Sequence, residues 1–173
     1  MQSLEFWKAV VADKANFLES LLSLLADRRI GYCVIGGVAV NAYAAPVVTE
    51  DLDLIVPLDQ IGTAESLLSE RFTTRRFPHR INVSTPGSNL RVQIQTDPRF
   101  AGFLGRASAR QVLGLTLPVA CVEDLLESKI WAALEAERRP SKRQKDLADI
   151  LRLIELRPDL RGRVPAEILG RLF

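Results

Sequence analysis

The chain has few of the residues that build thiolate metal sites and disulfide scaffolds. In 173 residues it has two cysteines, Cys33 and Cys121, and a single histidine, His79. A structural zinc site of thiolates and imidazoles takes four such ligands, so one is not expected from this composition. Both cysteines lie in apolar runs and read as buried, reduced thiols, as expected of a cytoplasmic protein. An excess of one charge is also missing. The 23 Lys and Arg against 21 Asp and Glu leave +2, so any pull on a polyanion has to come from local clustering. No apolar run approaches the roughly 20 residues of a membrane span. The most apolar stretch, residues 30–48, is interrupted by Gly36, Gly37, Asn41 and Pro46. The first 20 residues are amphipathic and carry acids, unlike a secretory signal. Internal repeats and low-complexity tracts are absent from the sequence.

What is present is ordinary for a globular chain: 47% hydrophobic and 25% charged residues. The length suits one domain over 1–173 with a proper core. Residues 4–29 carry an apolar stripe at helical spacing (Trp7, Val10, Val11, Phe17, Leu18, Leu21, Leu22, Leu25), which predicts one N-terminal helix ending before Gly31. Tyr32 to Ile35 reads as a short buried strand, Gly36-Gly37 as a turn, and Val38 to Ala45 as a short helix. Residues 51–56 form a second strand. Asp59 is placed to cap a helix over 60–71. Strands are expected at 72–77, 80–84 and 90–96, the last alternating apolar and polar residues. Residues 98–110 give no clear pattern, and 113–119 reads as another strand. Helices follow at 122–137 and 142–156, with a short one after Pro165. The order is an N-terminal helix (1–29), an α/β core (30–120) and a helical C-terminal part (121–173). It predicts an α+β fold with a mixed central sheet flanked by helices.

Three clusters could carry chemistry. In Asp51-Leu52-Asp53 the two acids share one face of a strand, roughly 6.6 Å apart along the backbone. Leu52 and Leu54 point into the opposite layer. Two carboxylates on a rigid strand can grip a hard cation that carries phosphates. Gly36-Gly37, between strand and helix, lets backbone approach a phosphate. Downstream, Lys129, Arg138, Arg139, Lys142, Arg143 and Lys145 make a basic region around a helix–helix junction, with Asp146 and Asp149 spaced to share a face. Such a region could form a cationic wall opposite the acids. Each has an ordinary explanation alone: a tight turn, a solvated strand start, a salt-bridged helix face.

Their order resembles the nucleotidyltransferase superfamily. The segments are Tyr-Cys-Val-Ile-Gly-Gly-Val-Ala-Val-Asn-Ala-Tyr (32–43) and Thr-Glu-Asp-Leu-Asp-Leu-Ile-Val (49–56). Val122 to Lys129, then Arg139 and Lys145 to Ile150, extend the likeness over roughly residues 30–156. The small bacterial AbiEii-like branch, which includes toxin–antitoxin proteins, is the nearest in pattern. The resemblance implies an NTP held at Gly36, Gly37, Lys129, Lys145 and Asp146. It implies Mg²⁺ or Mn²⁺ at Asp51 and Asp53, and Asp51, Asp53 and Lys129 as catalytic candidates. It also implies transfer of a nucleoside monophosphate to an RNA or protein hydroxyl, with a cognate toxin or antitoxin as a candidate partner.

Two positions depart from that pattern. Members of the superfamily usually carry a third carboxylate on a later strand, and the matching position here is Gln93. A neutral amide cannot act as a base and is a poorer Mg²⁺ ligand. Asp97 has the same strand parity as Gln93 but lies roughly 13 Å further along an extended chain. Val47 stands where the branch often has Arg. The alternative reading is therefore a catalytically impaired relative that binds a nucleotide or a partner protein.

Overall fold

The computed structural model describes residues 3–173. Its centre is a seven-stranded mixed sheet. The strands are β1 (Cys33–Ile35), β2 (Asp51–Ile55), β3 (Thr73–Phe77), β4 (Arg80–Ser84), β5 (Arg91–Gln95), β6 (Ser108–Val112) and β7 (Leu115–Val119). Their spatial order is β3-β4-β5-β2-β1-β7-β6. β2 runs antiparallel to β1 and parallel to β5, and β1 runs parallel to β7. The helices are α1 (Leu4–Val10), α2 (Phe17–Asp27), α3 (Gly36–Val40), α4 (Ile61–Ser69), α5 (Val122–Leu134), α6 (Pro140–Leu156) and α7 (Ala166–Leu172). This is the α+β arrangement expected, with a helical C-terminal part.

The alternation of β2 positions the site. Leu52 and Leu54 are fully buried on one face, among Leu18, Leu21, Val92 and Ile94 of the main apolar cluster. Asp51 and Asp53 therefore share the other face. β5 continues the pattern: Val92 and Ile94 are fully buried while Arg91 is exposed and Gln93 half-buried.

Several local expectations are corrected. The single helix over 4–29 is two helices. Ala12 and Asn16 take positive φ values of 47° and 50° between them. The buried Asp13 carboxylate accepts the Phe17 and Leu18 N–H groups at 2.9 and 3.2 Å, satisfying donors at the start of α2. Asp59 caps no helix; it lies in a 3₁₀ turn, and α4 begins after Gln60 without a side-chain cap. The helix after the glycine pair starts at Gly36 itself and ends at Val40. The unreadable stretch at 98–110 is a 3₁₀ segment (Pro98–Arg106) followed by β6. Leu113 and Gly114, both with positive φ, close a β6–β7 hairpin of the kind that needs left-handed residues. Cys33 is buried and Cys121 is only partly so; both are free. Among the described residues no helix is long and apolar enough to cross a membrane.

Candidate functional site

Asp51 and Asp53 open onto a cavity of about 170 Å³ between β2, the segment after α3, and helices α5 and α6. Gly37, Asn41, Thr49, Lys129, Lys142 and Lys145 are among its lining residues. Of the positions picked out in the sequence, Gly37, Asp51, Asp53, Lys129, Lys145 and Asp146 line this one cavity. Gly36 lies immediately behind it, against Asp53. From the basic junction between α5 and α6, Lys142 reaches the acidic strand and pairs with Asp51.

Gly36 has a φ of +73°, and a Cβ built on it would overlap Asp53 Oδ2. The glycine is thus required twice, by the left-handed backbone and by the carboxylate packed on it. Asp51 meets two cations. Arg91 Nε donates to Oδ1 and Lys142 Nζ to Oδ2, each at 2.7 Å. Burial pushes the Asp51 carboxyl up, but Lys142 and Arg91 outweigh it and hold it below the ordinary carboxylate value. Asp53 is the opposite case. Burial pushes its carboxyl up to about 6, against the opposing pull of Lys129 and with a further push from Asp51.

Lys129 bridges buried acids of α6. Its Nζ lies 3.1 Å from Asp146 Oδ1 and 2.7 Å from Asp149 Oδ2. Those two acids and Asp53 overcome its burial and keep the ammonium more basic than usual. Asp146 also takes Arg138 at 2.8 Å, and Asp149 takes Arg152 at 2.7 Å. Arg152 reaches on to Asn41 Oδ1 at 2.9 Å and to the Ala45 carbonyl, tying α6 to the segment after α3. Lys145 is exposed on the cavity rim and forms no ion pair among the described residues. Arg143 turns away to accept duty at the end of α5, donating to the carbonyls of Ala133 and Glu135.

Gln93 pairs in register with Asp53 across the parallel β2–β5 ladder, so the expected third acid is an amide. Gln95 is the amide of β5 that reaches Asp53, with Nε2 3.4 Å from Oδ1. Asp97 is not a substitute: its carboxylate accepts the Arg99 N–H and pairs with the Arg99 guanidinium. Among the described residues no cluster of three His, Cys, Asp or Glu could hold a metal ion.

Arg91, Asn41 and Arg152 carry no local mark of a site in the sequence, and Lys142 and Asp149 do not stand out from the other charges around the helix–helix junction. Lys142 and Asp51 are 91 residues apart, and Arg152 and Asn41 111 apart, so no local spacing links them. The i,i+3 spacing of Asp146 and Asp149 was a usable signal, since both bind Lys129.

No protein-family model matches the sequence, and no curated protein sequence does either. Solved structures do match in fold. The chain is similar to ANT(2'')-Ia, solved in complex with adenylyl-2''-tobramycin, with a TM-score of 0.59 at 16% identity over 86% of this chain and 97% of that one. It is similar to the lincosamide antibiotic adenylyltransferase LnuA in its lincomycin-bound form, with a TM-score of 0.53 at 12% identity over 79% and 95%. An antigenic nucleotidyltransferase-like protein from Paracoccidioides brasiliensis aligns with a TM-score of 0.54 at 20% identity over 99% and 87%. The fold is that of the nucleotidyltransferases. The likeness is one of fold and does not bear on the AbiEii-like branch.

Proposed function

We propose that this protein is a nucleotidyltransferase that moves a nucleoside monophosphate from an NTP to a hydroxyl of an RNA or protein acceptor. One observation carries the reading. Asp51 and Asp53 share one strand face and line a single cavity together with Lys129, Arg138, Lys142 and Lys145, with Lys142 paired to Asp51. Carboxylates and cations around one cavity suit a triphosphate that bridges a metal ion and a basic surface.

The acidic couplet fits Mg²⁺ or Mn²⁺ in kind. Mg²⁺ is commonly held by one or two carboxylates, with phosphates and water completing its shell. Asp53 Oδ1 takes only the long Gln95 contact, and Oδ2 accepts no hydrogen bond from the described residues. Asp51 and Asp53 would hold the ion, which when bound neutralises phosphate charge as the transition state develops.

The remaining work falls to the chain itself. Lys142 now neutralises Asp51 and would exchange that carboxylate for a phosphate oxygen. Lys145, exposed on the rim, would meet the same phosphates. Gly37 leaves its part of the cavity lining clear of a side chain, and Gly36 makes room for Asp53. Lys129 acts as a positioning group, locked by Asp146 and Asp149 and lending positive charge to Asp53. In the transfer, the acceptor hydroxyl oxygen bonds to the α-phosphorus while the bond from that phosphorus to the β-bridging oxygen breaks. Pyrophosphate leaves with the electron pair, and the hydroxyl proton passes to solvent. Positioning and charge neutralisation supply the acceleration.

A second reading has its own support. Gln93 stands beside Asp53, and an amide there cannot take a proton. On that reading the chain binds a nucleotide, or a cognate toxin or antitoxin, without turnover. Incorporation of α-labelled NTP into total RNA or protein, with Mg²⁺ or Mn²⁺, separates the two. Transfer by the wild type that disappears in Asp53→Ala supports the enzyme. Transfer only in Gln93→Asp supports the impaired relative, and transfer that persists in Asp53→Ala sinks both.

A further inference from the structure

The acidic couplet sits at one end of a longer polar surface. Strand register places Arg75, Asn82, Gln93 and Asp53 in one cross-strand row on the face that carries the couplet. A neighbouring row on that face holds Phe77, Arg80 and Gln95, ending at Ile55. The opposite face of the same strands is apolar and buried, with Ile81, Val83, Val92 and Ile94. On the couplet's side Arg75 is exposed, while Phe77, Arg80, Asn82, Gln93 and Gln95 are half-buried. A floor of amides and guanidiniums therefore leads from Asp53 to the sheet edge, three strand spacings or roughly 14 Å away.

Two further details mark this floor. Asn82 Oδ1 and Arg80 Nε, one in each row, are buried atoms without a hydrogen-bond partner among the described residues. Native structures rarely leave such atoms unpaired. Phe77 is flanked by two guanidiniums, with Arg75 and Arg80 5.0 and 4.6 Å from its ring centroid. The charge is one-sided as well. Between Glu70 and Asp97 the sequence has no acid but five arginines: Arg71, Arg75, Arg76, Arg80 and Arg91.

We propose that this face of β3–β5 is the acceptor platform and takes the 3′ end of a single-stranded RNA. The proposal rests on the nucleotidyl-transfer reading above and names its acceptor. Phosphates would lie on Arg75 and Arg80, and an unstacked base on Phe77 and its guanidiniums, as single strands are commonly held. Amides at Asn82, Gln93 and Gln95 offer donors and acceptors to a ribose 2′-hydroxyl, the group that marks RNA. A cationic antibiotic would need carboxylates, and these rows hold none besides Asp53. The row directs the terminal 3′-hydroxyl toward the couplet, where its oxygen would bond to the α-phosphorus as pyrophosphate departs.

The test is fluorescence anisotropy with 5′-labelled single-stranded RNA, the same DNA sequence and duplex RNA. Proteins are the wild type, Phe77→Leu and the double variant Arg75→Gln/Arg80→Gln. In parallel, each is titrated with Mg²⁺ and NTP by calorimetry. Single-stranded RNA should bind best. The double variant should lose about tenfold or more in affinity and flatten the salt dependence by about two phosphate contacts. Phe77→Leu should lose several-fold with the salt slope unchanged, and NTP titrations should be alike in all three proteins. Absence of RNA binding at low salt while NTP binds overturns the platform and leaves the nucleotide site standing. DNA or duplex binding as tightly as single-stranded RNA also overturns it. RNA binding that needs Arg75 and Arg80 in a protein that binds no NTP supports the platform as an RNA surface and removes the transfer reading.

Discussion

Gly36 and Asp53 are locked together: the glycine's left-handed backbone lies so close to the carboxylate that any Cβ would overlap Oδ2 and approach the Asp53 Cβ and Cγ to 3.0 Å. The glycine of the first motif and the acid of the second are therefore one structural unit. Gly36→Ala meets left-handed strain of roughly 1–2 kcal/mol and must also displace Asp53. Urea unfolding should show a loss of at least that size, and nucleotide affinity should fall with it. A variant as stable as the wild type would break this link.

Asp53 itself is expected to cost stability where it serves function. Its folded-state carboxyl is raised to about 6 from an ordinary 3.8, so the folded chain holds this proton more tightly than the unfolded chain. Both states are protonated below about pH 4. As pH rises through about 6 the buried group ionises, and the stabilisation is lost. The difference is on the order of 2–3 kcal/mol at about 1.4 kcal/mol per pKa unit. Asp53→Asn should therefore raise Tm near neutral pH and match the wild type in acid, while abolishing nucleotide binding. Thermal scans across pH check this, and an equal or lower Tm for the variant near neutrality would contradict it.

Much of this was legible in the sequence because the information was local. The alternation at Leu52 and Leu54 fixed which way Asp51 and Asp53 point, and the glycine pair marked the turn beside them. The break in the first helix was hidden because its cause, a buried Asp13 carboxylate on the Phe17 and Leu18 N–H groups, uses a residue that reads as an ordinary polar helix position. The partners of the couplet were hidden by distance along the chain, since Lys142 and Arg152 act from α6 on residues about a hundred positions earlier. Gln93 could be placed because β5 keeps a strict alternation. That Gln95 makes the side-chain contact depends on reach across the ladder, which spacing does not disclose.

Lys129 and Lys145 line the same cavity and should behave oppositely. Lys129→Ala removes the shared cation of two buried acids, each of which keeps one arginine, and should cost on the order of 1–3 kcal/mol. Lys145→Ala removes an exposed, unpaired ammonium and should leave stability within about 0.5 kcal/mol. Its effect should fall on NTP affinity. Chemical denaturation and calorimetry on both variants check the contrast, and a destabilised Lys145→Ala with normal nucleotide binding would reverse these assignments.

The two thiols should also separate. Burial, then Asp124 and Cys121, push the Cys33 thiol up to about 12, so near neutral pH it holds almost no thiolate. Cys121 is partly exposed, though burial raises its thiol too. An alkylating reagent should label Cys121 slowly in the native protein and Cys33 only on unfolding, as peptide mapping would show. Rapid native labelling of Cys33 would contradict the packing around β1.

The central claim is that the Asp51–Asp53 couplet and the α5–α6 cations together hold a metal–nucleotide. Calorimetric titration of the wild type and Asp53→Ala with an NTP, in the presence and absence of Mg²⁺, tests it most directly. The expected result is binding that requires Mg²⁺ and is lost in Asp53→Ala. Binding that is absent from the wild type, or undiminished in Asp53→Ala, would contradict it.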